Sequence, residues 1–86
     1  MDTIGSVLTL IRKVEFRMQL FGFLKDFPDE FNRRYQRVGV AIAHDQKVSL
    51  EQAKNLPDTT PLGPSATAAF AELKAWLVSQ NLPPDG

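Results

Sequence analysis

Six apolar residues, Ile4, Val7, Ile11, Val14, Met18 and Phe21, follow one another at steps of 3, 4, 3, 4 and 3. In an α-helix that spacing sets all six side chains on one narrow seam. Leu8, Leu10, Phe16, Leu20, Phe23 and Leu24 flank the seam and widen it. A single small partner helix does not cover that much apolar surface. Two readings follow. The seam is the central helix of a small bundle, buried on several sides, or it is a surface that takes a partner, a second copy of the chain among the candidates.

The aromatic distribution favours the second reading. Five of the six phenylalanines, Phe16, Phe21, Phe23, Phe27 and Phe31, fall within 16 residues. The remaining segments supply too few large apolar residues to cover such a wall comfortably. The sequence therefore predicts a self-association or docking surface made by Val7, Ile11, Val14, Met18 and Phe21, with Arg12, Arg17, Arg33, Arg34 and Arg37 as flanking charges.

The rest of the chain reads as further helix. Thr3 is a usable N-cap for a first helix running to about Lys25. Pro28 cannot continue that helix but suits the opening turn of a second, from about Pro28 to His44, where Asp29 and Glu30 add favourable negative charge. The second helix carries an apolar stripe at Phe27, Phe31, Tyr35, Val38 and Ile42, and Gly39, Ala41 and Ala43 are small enough to admit a close neighbour. Ser49 with Gln52 has capping-box spacing and predicts a short third helix from Leu50 to about Asn55. Pro57, Pro61 and Pro64 stiffen a loop over 57–64. Ser65 is the expected N-cap of a last helix from Ala66 to about residue 81, with Ala69, Phe70, Leu73, Trp76 and Leu77 on its apolar face.

The expected fold is all-α: a bundle of three to four helices with a long N-terminal helix. The second helix runs antiparallel to the first, and the last packs across the pair. Residues 1–82 form one domain and 83–86 a flexible tail. A chain of 86 residues gains only marginal stability from its own core, which oligomerisation would supplement.

Charge and composition exclude several function classes. There is no cysteine, hence no disulfide, thiolate nucleophile or sulfur-ligated metal, a composition that fits the cytoplasm. No secretory signal is expected, since Asp2 opens the chain and Arg12 and Lys13 interrupt the apolar run. The same charges, with Glu15 and Arg17, predict no membrane span. Net charge is zero, though unevenly placed: residues 12–37 hold seven cations and four acids, and residues 38–86 hold three cations and five acids. That polarity is too mild for a typical nucleic-acid binder.

Candidate chemistry is thin. His44 beside Asp45 is a conceivable oriented base, but no nucleophile accompanies it, and a helix C-terminus favours histidine without any catalytic role. Asp26, Asp29 and Glu30 are explained by a helix N-terminus. Residues 41–52 faintly resemble the second half of a calcium-binding EF-hand loop, yet they offer about two of the six to eight oxygen ligands calcium requires. No metal or cofactor is therefore expected. Arg33, Arg34 and Arg37 around Tyr35 are the best nucleic-acid candidate, offset by i,i+4 acidic partners at Asp29 and Glu30. The sequence thus predicts a non-catalytic protein-interaction module that self-associates, with a small nucleic-acid-binding regulator as the alternative.

Overall fold

Helix α1 spans Ile4–Phe21, and its start is fixed from two directions. Thr3 and Ser6 cap each other: the Ser6 amide donates to Thr3 Oγ1 at 3.4 Å, and the Thr3 amide donates to Ser6 Oγ at 3.1 Å. The proline loop supplies the remaining acceptors. The Ile4 amide donates to the Thr60 carbonyl at 3.0 Å and the Gly5 amide to the Asp58 carbonyl at 2.9 Å. Those first-turn amides have no acceptor within the helix itself. In return the Leu62 amide donates to the Asp2 carbonyl at 3.0 Å, and Thr3 and Pro61 form an isolated antiparallel bridge. A stiff loop is what such pinning needs.

The computed structural model describes residues 2–21 and 27–80, so the expected extension of α1 to Lys25 and the expected 83–86 tail lie outside the described residues. Within them the fold is the all-α bundle the sequence predicts. After α1 come α2 (Phe27–Gln46), α3 (Leu50–Ala53) and α4 (Pro64–Ser79). The longest described helix is α2, at 20 residues against 18 for α1. Its closest partners are α4 and then α3.

The core settles what covers the seam. Val7, Ile11 and Val14 are buried within the single chain, Val14 to 1% exposure, together with Ile4 and Leu10. Opposite them lie Phe31, Val38 and Ile42 of α2 and Ala66, Phe70, Leu73 and Leu77 of α4. Met18 packs half-buried against this cluster. The expectation that Val7, Ile11 and Val14 form an outward interface is therefore corrected. The intrachain core occupies them, and a side chain already buried at home presents no area to a partner. Phe21 and Phe23 lie outside the residues whose side chains are described.

The aromatic wall is likewise divided. Phe27 and Phe31 are buried, their rings 6.0 Å apart, and Phe27 stacks on Trp76 of α4 at 5.0 Å. Phe16, by contrast, is 60% exposed.

Helix ends account for the remaining differences from expectation. Helix α2 runs two residues beyond His44, and Lys47 stops it by turning left-handed at φ 56°. The Lys47 amide then donates to the His44 carbonyl at 3.2 Å and the Val48 amide to the Ala43 carbonyl at 3.1 Å. This is a Schellman closure with lysine where glycine is normally preferred. Lys47→Gly should therefore raise stability by about 0.5–1 kcal/mol, since glycine has no Cβ to strain there. A melting temperature unchanged or lowered in that variant would refute the account.

At α3 both halves of the capping box form. The Gln52 amide donates to Ser49 Oγ at 3.1 Å, and the Ser49 amide donates to Gln52 Oε1 at 2.9 Å. At α4 the N-cap is Gly63, with Pro64 as the first helical residue, which corrects the expected cap at Ser65. Pro64 has the φ a first helical turn requires. The missing cap oxygens come from Asp45 instead, which accepts from the Ser65 amide at 3.3 Å and the Ala66 amide at 2.8 Å. One aspartate thus joins the end of α2 to the start of α4.

Candidate functional site

Helix α2 has a second face besides its core stripe. Asn32, Gln36, Gly39 and Val40 look toward a groove of about 640 Å³, which Tyr35, Val38 and Ile42 of the stripe also line. The other walls are Ile4, Val7 and Leu8 of α1, Leu50 and Ala53 of α3, and Lys54, which caps α3. Its volume lies in the range of a binding cleft, and its lining is mostly apolar with a few polar groups, the usual composition of such sites. Among the described residues Lys54 is the one charged residue lining it.

Two large apolar side chains at this groove are left in water: Val40 at 57% exposure and Leu50 at 48%. Neither belongs to the core. Val40 falls between the stripe positions Val38 and Ile42, so helical geometry turns it away from α4. Leu50 opens α3, whose four residues contain no buried side chain. The floor is lowered by Gly39. A Cβ built there would meet Leu50 Cδ1 at 3.7 Å, an ordinary contact, so nothing in the free chain requires glycine at this position. A glycine inside a helix costs about 1 kcal/mol relative to alanine. Within the chain that position is met by the side chain of Leu50 alone, at contact distance.

The arginines predicted to flank an interface are dispersed. Glu30 holds two of them, Arg33 Nη1 at 2.9 Å on one oxygen and Arg34 Nε at 2.9 Å on the other. Arg34 also lies over the Trp76 ring, 5.2 Å from its centroid, and is half-buried. Arg34 thus ties α2 to α4, while Arg33 pairs within α2 alone. Arg37 and Arg12 are exposed, and Arg17 is half-buried with an interaction of its own. The structure does not bring the five together.

The acidic and imidazole groups have structural positions. His44 is exposed near the C-terminus of α2. Both oxygens of Asp45 accept amides of α4, and the Ala66 amide foremost, then Ser65 and the neighbouring His44, hold its carboxyl below the usual aspartate range. Among the described residues no three histidine, aspartate or glutamate side chains converge as metal ligands would, and no helix is long and apolar enough to cross a membrane.

Sequence reasoning missed Val40 and Leu50 as site residues. The signal was present in Val40, a large apolar side chain off the α2 stripe. No signal in the sequence places Leu50 across from Gly39. No known family model, curated protein or solved structure matches this chain.

Proposed function

We propose that this chain is a non-catalytic protein-interaction module that receives an apolar helix in the groove between α1, α2 and α3. The observation that carries the reading is the pair Val40 and Leu50, 57% and 48% exposed at the edge of an apolar groove with a glycine floor. Amphipathic helices bind such grooves by inserting side chains at helical spacing. The engagement of Arg33 and Arg34 with Glu30 speaks against using those arginines as phosphate contacts.

Selection from a displayed library of amphipathic helices tests the reading. Peptides enriched on the wild-type chain should bind it in the micromolar range or tighter. They should lose at least tenfold in affinity when Val40 and Leu50 are both changed to Asp, since each would then bring an unpaired carboxylate into the apolar contact. Both positions are exposed, so the variant should melt close to the wild type. Selected peptides that bind the double variant equally well would refute the assignment.

A further inference from the structure

Besides the groove, the described residues leave a second extended apolar surface open on the outward face of α4. That helix buries Ala66, Phe70, Leu73 and Leu77. On its opposite side Pro64, Ala68, Ala71, Ala75 and Val78 recur at steps of 4, 3, 4 and 3, and all five are exposed, Val78 to 57%. A helix apolar on both sides is normally covered on both. Its only charged residues are Glu72 and Lys74, and Lys74 turns to Asp2 at 3.6 Å and lies over the Phe70 ring. Glu72 is exposed. Among the described residues neither Glu72 nor Lys54 has an ion-pair partner in its own chain.

The two surfaces complement each other. One is a concave groove with a single cation, and the other is a slim convex ridge with a single acid. We infer that the groove's occupant is α4 of a second copy of this chain, with Glu72 of one copy opposite Lys54 of the other. This rests on the groove reading above and names its partner. The low side chains of Ala68, Ala71 and Ala75 let the ridge seat against the exposed Val40 and Leu50, and Val78 supplies a larger apolar anchor. One such contact is small for a stable dimer. Two reciprocal contacts about a twofold axis double the area, toward the roughly 1,200 Å² at which specific interfaces begin. The pair is therefore closed, with each copy giving one ridge and one groove.

Light scattering and sedimentation of the full chain across concentration test this. The wild type should approach twice its 9.6 kDa by about 100 µM. Ala75→Glu should hold the chain at single mass with an unchanged helical spectrum, because position 75 faces water in the free chain. Lys54→Glu and Glu72→Lys should each weaken association at least tenfold by placing like charges together, and the double reversal should recover to within about threefold of wild type. The charge reversal decides the matter even if Ala75→Glu misfolds. A wild type of single mass at 500 µM, a mass growing beyond twofold, or a double reversal without recovery would each overturn the inference. If the chain stays single while selected helices still bind the groove, the second copy is wrong and the groove reading survives. If neither helices nor self-association are found, both fail.

Discussion

Replacing Val14 with glutamate is expected to unfold the chain. Val14 is 1% exposed among Val7, Leu10 and Ile11 of its own helix and the buried residues of α2 and α4. A chain of this size has on the order of 5 kcal/mol of net stability. An ionised carboxylate buried without a partner costs more than that, and even the protonated acid leaves an unsatisfied polar group worth about 2–7 kcal/mol, depending on the reference environment. The helical spectrum should therefore collapse at neutral pH and recover partly in acid, where the less costly neutral form prevails. Met18→Glu makes the internal comparison. That side chain is half-buried at the edge of the same cluster, and its carboxylate can reach water, so the variant should melt lower yet stay folded. If Val14→Glu instead gave a folded protein with a cooperative melt, the seam would be a surface and the packing described above would be wrong.

That comparison separates what a periodic pattern can and cannot tell. Steps of 3 and 4 along α1 identify which face is apolar, and the same steps locate Phe27, Phe31, Val38 and Ile42 on α2. All were legible, because helical geometry is local. The occupant of the seam was not, because periodicity carries no record of the partner. Phe27 and Phe31 look like an exposed wall only until Trp76, some 45 residues on, is known to stack there. Short-range caps read out residue by residue, as Ser49 and Gln52 show. Ser65 failed as a cap for the opposite reason: the real acceptor, Asp45, lies 20 residues away in sequence, and no local rule reaches it. Lys47 was hidden too, because a left-handed helix stop is usually announced by glycine. The groove was half legible. Val40 sits off its stripe, but the opposing Leu50 and the freedom of Gly39 emerge only once α3 is placed against α2.

The Asp45 bridge makes Gly63 the least tolerant of an added methyl group among the described glycines. Its backbone, at φ −79° and ψ −176°, is extended and open to any residue, so conformation does not require glycine. Space does. A Cβ at position 63 would lie 2.7 Å from Asp45 Cβ, Cγ and Oδ2, closer than such atoms approach. Gly63→Ala must therefore push Asp45 aside and leave the Ser65 and Ala66 amides without their acceptor at the start of α4. The melting temperature should fall on the order of 10 °C, a typical consequence of overpacking in a domain of this size. In an Asp45→Gly background the same substitution should cost little, since the atoms it meets are gone. Acidity provides an independent check. The Asp45 carboxyl is held below its ordinary value in the fold, so its contribution is complete above the unfolded-chain pKa of about 4 and is lost as pH falls through the lowered native value. Wild type thus surrenders in acid part of what Gly63→Ala has already lost at neutral pH. The gap between their melting temperatures should narrow steadily below about pH 4. A gap of constant size from pH 7 to pH 2 would mean that the methyl group acts elsewhere and that Asp45 is not what joins α2 to α4.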